Sequence, residues 1–200
     1  MVRSAPHQTM KGKVNHMLQY ITALSAAREP VCLYDDRENP AKFRFGKIMY
    51  ADETELLLYE ISRYGAFDGL SLLQSANVYR IEKNGQYQER MKILMQSNIF
   101  PEVHLDIQNG EIKHSFLRNL AASEKIVSVV LEGNETVTGM VERVDDTALV
   151  MRQIDYYGCE DGQAAIALDT ITGITCDSRE EIALELLWRR KGNQVNGWIE

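Results

Sequence analysis

The amino-acid sequence predicts a mainly β protein with helices, arranged as two tandem five-stranded antiparallel barrels. Two observations carry that prediction. Residues 46–95 match residues 139–188 at a constant offset of 93 positions with no gap, and 11 of the 50 pairs are identical. A self-match at fixed period marks a repeated structural unit. Within each copy, one amphipathic helix pattern precedes five short strand-like segments separated by tight turns. No helix interrupts those segments, which is the pattern of a small antiparallel barrel and not of a parallel α/β sheet.

Composition sets the outer bounds. A chain of 200 residues divides naturally into two units of about 95. Apolar residues at 44% and charged residues at 26% are ordinary for a soluble globular protein. No apolar run approaches the ~20 residues of a membrane span, and the basic N-terminus lacks the apolar stretch of a signal peptide. The expectation is a cytoplasmic protein that makes no use of a membrane. Cys32, Cys159 and Cys176 align through the repeat with Ser128, Ala66 and Lys83, so no cysteine was copied. A disulfide framework or a duplicated metal site would have been copied, so the three read as free or buried thiols.

The net charge of −7 is uneven: residues 1–30 carry +3, residues 31–100 carry −1 and residues 101–200 carry −9. An acidic second half opposes coating of nucleic acid by phosphate neutralisation.

The elements follow in order. The first unit occupies residues 1–98. Val14, Met17, Leu18, Ile21 and Leu24 recur at helical spacing and predict a helix over about 12–28, stopped before Pro30. A barrel over about 31–83 follows, with strands at 31–34, 42–50, 55–62, 70–74 and 78–82, then a helix over about 86–96. Three extra residues near Arg37 to Pro40 fall in the first hairpin loop. Residues 99–110 form a linker containing Pro101, running over the surface. The second unit, 111–200, opens with a helix over about 111–123, whose apolar stripe is Ile112, Phe116, Leu117 and Leu120. Its barrel covers about 126–177, with strands at 127–131, 136–144, 148–154, 163–168 and 171–176. A last helix covers about 178–191, N-capped by Asp177 or Ser178 and stopped at Gly192.

Residues 127–151, VSVVLEGNETVTGMVERVDDTALVM, resemble the first motif of the Sm-like (LSm) family: a valine-rich strand, a polar hairpin, a strand glycine and an aspartate before the third strand. Gly46 and Gly139 match the strand glycine, and Asp52 and Asp145 the aspartate. GQAAIALDTITGI, residues 162–174, is similar to the second motif. The resemblance implies tandem Sm-like barrels that associate through edge strands, with RNA as a candidate ligand. Two departures count against RNA. The asparagine that usually follows the aspartate is missing from both copies, and the final turns, 74–77 and 167–170, contain no arginine.

Three groups of residues are candidate sites. Asp52, Thr54 and Asn77, with Asp145, Thr147 and Thr170, would form a binding rim, or would only organise turns by bonding nearby backbone N–H groups. The duplicated YGxxDG motif presents Tyr64, Asp68, Tyr157 and Asp161 as paired ligand loops. Alternatively it is a hairpin signal whose tyrosines cover the barrel end. Lys42, Arg44 and Lys47 would form a basic strand, in which Lys42 and Arg44 face one side and Phe43 and Phe45 the other. No catalytic, cofactor or metal constellation is recognised: there is no HxxxH, CxxC, GxGxxG, P-loop or nucleophile elbow, and His16 and His114 stand alone. The expected function is a non-enzymatic Sm-like binding or scaffold protein, with RNA or other proteins as partners and edge strands as a route to homo-oligomers. The alternatives are a protein-interaction module that has lost RNA binding, and a small-molecule binder or enzyme using the Tyr/Asp loops.

Overall fold

A computed structural model describes residues 16–196 of the chain. Four α-helices and ten strands are present among them. The first half runs α1 (His16–Ala27), β1 (Pro30–Tyr34), β2 (Arg44–Ala51), β3 (Glu55–Ile61), β4 (Phe67–Gln74), β5 (Arg80–Glu82) and α2 (Gln86–Met95). The second runs α3 (Ile112–Ser123), β6 (Ile126–Leu131), β7 (Thr136–Val144), β8 (Ala148–Ile154), β9 (Glu160–Ala167), β10 (Ile171–Cys176) and α4 (Arg179–Asn196). Val14 and the predicted start of the first helix lie outside the described residues.

All ten strands join in one antiparallel sheet, ordered β5-β1-β2-β3-β4-β10-β6-β7-β8-β9. The pattern is compatible with Sm-like elements. Closed barrels are not shown, since among the described residues the strand pairing of neither half closes on itself, and the halves share a seam. At that seam β4 pairs with β10, with Leu72 opposite Ile174 and Leu70 opposite Cys176. One apolar core crosses the seam, joining Leu57 and Leu72 to Phe116, Val129 and Ile174. A smaller core belongs to the first half, where Ile21 and Leu24 of α1 pack on Val31, Leu33, Ile48 and Leu58.

The long second strand of each half bends at the same place. The β2–β3 register shifts between Ile48 and Tyr50, and the β7–β8 register between Val141 and Arg143. Just before those bends stand Gly46 and Gly139. A Cβ added there would lie 2.1 Å from Tyr59 O or 2.0 Å from Arg152 O, so the neighbouring backbone excludes any side chain.

Three local expectations are corrected. Strands β4 and β9 begin at Phe67 and Glu160, so each Asp-Gly pair lies inside a strand and not in the hairpin turn. The turns fall earlier, closed by Gly65 N donating to Ser62 O and Gly158 N to Asp155 O. Lys42 precedes β2, which starts at Arg44, because the hairpin loop is longer than expected. Gly192 does not stop the last helix, which continues to Asn196; an interior glycine costs a helix only about 1 kcal/mol.

Candidate functional site

The two predicted rims are built alike. In the first, one oxygen of Asp52, Oδ1, accepts from Thr54 N at 2.9 Å, Thr54 Oγ1 at 2.9 Å and Glu55 N at 2.8 Å. In the second, Asp145 Oδ1 accepts from Thr147 N at 2.9 Å, Thr147 Oγ1 at 3.2 Å and Ala148 N at 2.8 Å. The two backbone donors hold the Asp145 carboxyl below the usual carboxylate range. Each turn is tied to the short 3-10 turn that ends its fourth strand: Ser75 N donates to Thr54 O and Leu168 N to Thr147 O. Asn77 and Thr170 therefore do join their rims, but each spends its side chain locally, on Gln74 Oε1 and Ala167 O respectively. Asp52 Oδ2 is buried and has no hydrogen-bond partner among the described residues.

A residue that the sequence reading missed bridges the two halves here. Lys113 Nζ, on α3, lies 3.1 Å from Glu55 Oε1, with both side chains about six-sevenths buried. The same ammonium donates to Leu168 O and Ile171 O at 3.3 and 3.4 Å. It thus fastens the β2–β3 turn of the first half to the β9–β10 turn of the second. The repeat gave no signal for it, since Lys113 aligns with Met17 once the three extra residues of the first hairpin loop are allowed for.

The YGxxDG loops have a structural cause. Gly65 and Gly158 have φ of +78° and +71°. A Cβ on Gly65 would meet Leu94 Cβ of α2 at 2.7 Å, and one on Gly158 would meet Leu187 Cβ of α4 at 2.6 Å. Leu94 and Leu187 are themselves a repeat pair, so each half docks its last helix on the same turn. The tyrosines do not cover a core: Tyr64 is 54% and Tyr157 70% exposed. Tyr64 is flanked by cations, with the guanidinium carbons of Arg63 and Arg179 at 4.9 and 5.8 Å from its ring centre. Tyr157 instead packs edge-on against Tyr156. The aspartates diverge as well. Asp161 is exposed, while Asp68 lies beside the seam. Burial, with the charges of Glu60 and Glu181, raises the Asp68 carboxyl above its ordinary range against the opposing pull of Arg179.

The basic strand is largely neutralised. Arg44 is clamped between Asp35 at 3.2 Å and Glu60 at 2.6 Å. Phe43 and Phe45 stack edge-on against Tyr87 of α2, as the alternation required. Lys42 and Lys47 make no ion pair among the described residues, yet Arg44 between them offers little free charge. The cysteines are free. Burial, helped by the Glu82 charge, pushes the Cys32 thiol up to about 12, and burial raises Cys176 as well. Cys159 is exposed, with Lys191 Nζ at 2.8 Å.

Clefts flank the seam, and two of them are described by their lining. A mainly apolar one of about 580 Å³ lies under the linker, between Val103, Phe67, Leu70, Phe116 and Ile182. A polar one of about 500 Å³ is lined by Arg44, Glu60, Asp68, Ser71, Thr175 and Glu181. Glu181, 2% exposed, caps the start of α4, accepting from Ser178 N at 2.9 Å and from Thr175 Oγ1 at 2.6 Å. Its repeat partner Gln88 accepts likewise from Gly85 N at 2.9 Å.

No family model matches the chain, and no curated protein matches it. Among solved structures, a crystal structure of the pleiotropic translational regulator Hfq aligns with 36% of this chain and 100% of its own, at 22% identity and a TM-score of 0.30. At that score the likeness carries no weight for what this chain does. No helix among the described residues is long and apolar enough to cross a membrane.

Proposed function

We propose that this chain is a non-enzymatic scaffold of the Sm-like kind, built from two repeat units and recognising partners along strand edges. One observation carries the reading: the halves are joined by backbone pairing of β4 with β10, while β5 and β9 end the sheet with no strand beyond them among the described residues. An open edge is a template for another strand. The polar rims support the same reading indirectly, since their carboxylates and hydroxyls are spent on holding turns.

The test is hydrogen–deuterium exchange along 80–82 and 160–167. The scaffold reading expects these amides to be slowed in concentrated protein or in a soluble extract, compared with dilute protein. Equal, fast exchange in all three conditions overturns it.

A second reading, single-stranded RNA as ligand, is favoured by exposed Tyr64 between Arg63 and Arg179, since an aromatic ring among arginines is a stacking platform for bases. It expects a mixed RNA pool to change its fluorescence anisotropy at low salt, and Tyr64→Ala to abolish the change. Failure to bind at any salt concentration removes this reading and leaves the scaffold reading in place.

A further inference from the structure

We propose that the polar cleft over the seam binds a small linear organic cation, an alkyl diamine or triamine, through Asp68, Glu180 and the hydroxyl of Ser71. The site is independent of the scaffold reading.

The seam itself builds the cleft. Ser71, Thr175, Ser128 and Thr138 stand opposite one another on β4, β10, β6 and β7. Residues directly opposite on antiparallel strands share a face, so a row of hydroxyls crosses the junction of the two halves. The reverse face holds Leu70, Leu72, Val129 and Ile174 of the shared core. Asp68 joins the hydroxyls because strand alternation breaks at Gly69, whose φ is +100°. Phe67 and Leu70 both turn to the core, and Asp68 and Ser71 both line the cleft. Glu180 and Glu181 enter the lining from the start of α4, and Arg44 and Glu60 from β2 and β3.

Polar groups in the cleft are left without partners. Ser71 is 2% exposed, and its hydroxyl makes no hydrogen bond among the described residues; the little surface it keeps opens on the cleft. A buried hydroxyl without a partner is rare in a folded protein, because it has lost its water without replacement. Asp68 makes no hydrogen bond or ion pair among the described residues either. Burial, with the charges of Glu60 and Glu181, disfavours its ionised form. A cation placed beside it would remove that penalty.

The lining selects the ligand. It carries four carboxylates and one guanidinium, and that guanidinium is already held by Asp35 and Glu60. Carboxylates only accept hydrogen bonds, and hydroxyls can accept them, so the fitting ligand is cationic and rich in N–H donors. No three His, Cys, Asp or Glu residues among the described ones are grouped to hold a metal ion. No aromatic ring among the described residues lines the cleft, which leaves no platform for a sugar or a base. The volume of about 500 Å³ is that of a small-molecule site. A second polar cleft, of about 550 Å³, shares Arg44 and Val130 with it and reaches Asp36 and Glu38 of the β1–β2 loop. Acceptors therefore run along the seam and suit an elongated chain with separated charges. The repeat does not reproduce the site: Glu60 and Ser71 correspond to Gln153 and Ala164, and Asp68 to the exposed Asp161. One site per chain follows.

The test titrates full-length, nucleic-acid-free protein calorimetrically at low salt with putrescine and spermidine, and with magnesium chloride at matched ionic strength. Spermidine should bind at one site per chain, more tightly than putrescine, and magnesium should give no saturable site. Asp68→Asn should weaken spermidine by about tenfold or more, as the loss of a charge-assisted hydrogen bond does, and Ser71→Ala by roughly fivefold. Asp161→Asn removes the same charge from the repeat counterpart and should leave the affinity unchanged. Spermidine should also raise the melting temperature of the wild-type protein more than that of Asp68→Asn, whose own melting curve shows that it is folded.

No saturable binding of either amine overturns the proposal. Equal weakening by Asp68→Asn and Asp161→Asn overturns it too, since the attraction would then belong to the acidic surface as a whole. Saturation by magnesium that is lost in Asp68→Asn would make this a metal site, and a lysine-rich peptide bound where the amines are not would make it a peptide site. Either result also overturns the proposal.

Discussion

Gly69 and Gly162 form a natural matched pair for measuring the seam. Both hold positive φ, +100° and +86°, and both occupy the third position of a fourth strand. Alanine at either site takes on a left-handed backbone penalty of roughly 1–2 kcal/mol. At Gly162 that is the whole cost in dilute protein, because the new methyl meets no neighbour. At Gly69 the methyl would also stand 2.5 Å from Cys176 O and 2.7 Å from Ser178 N. These are backbone atoms at the β10–α4 junction and cannot rotate away, so an overpacking cost of about 1–3 kcal/mol is added. The expected loss is therefore about 1–2 kcal/mol for Gly162→Ala and about 2–5 kcal/mol for Gly69→Ala. For a chain of this size the difference amounts to several degrees in melting temperature, at about 2–4 °C per kcal/mol. Urea titration of both variants at low protein concentration, followed by circular dichroism, gives the two values. Equal losses would refute the reasoning, because the seam contact would then contribute nothing beyond local backbone strain.

The other predictions concern single contacts. Lys113→Met leaves Glu55 buried without its cation and frees two carbonyls, so it should cost about 3 kcal/mol; a double-mutant cycle with Glu55→Gln should show coupling, and additivity would deny the bridge. Gly65→Ala and Gly158→Ala should each loosen a terminal helix, visible as faster amide exchange in 86–95 or 179–191 respectively, with the opposite half unchanged. Asp68→Asn should raise the melting temperature near neutral pH, because the folded state raises the carboxyl's pKa and so penalises its ionised form. That gain should shrink as pH falls through the ordinary carboxylate range, where wild-type Asp68 is protonated; a gain independent of pH would assign the effect to packing. Asp145→Asn should lower stability at neutral pH, since the folded state lowers this carboxyl's pKa, and the deficit should fade as acid protonates the wild-type group below its usual range.

Much of the fold was legible because it depends on local patterning. The repeat, the helix stripes of Ile21–Leu24 and Phe116–Leu120, and ten strand positions could be read from spacing and turn chemistry. Boundaries were less legible. Asp-Gly looked like a turn, but the last helix of each half presses on Gly65 or Gly158, which puts the turn there and leaves Asp-Gly inside the strand. Among the candidate residues, the pairing of rim turns with final turns followed the repeat. The loss of free charge at Arg44 did not, since Asp35 and Glu60 arrive from neighbouring strands.

By itself the sequence determined the repeat unit, its element order and the residues kept in both copies, because these follow from backbone preference and periodic burial within short stretches. Only the tertiary structure decided that the two halves share one sheet, that Lys113 fastens their rims, and that β5 and β9 end that sheet among the described residues. Those outcomes depend on which edges meet. An edge consists of backbone donors and acceptors that every residue other than proline carries alike, so side-chain pattern does not name its partner.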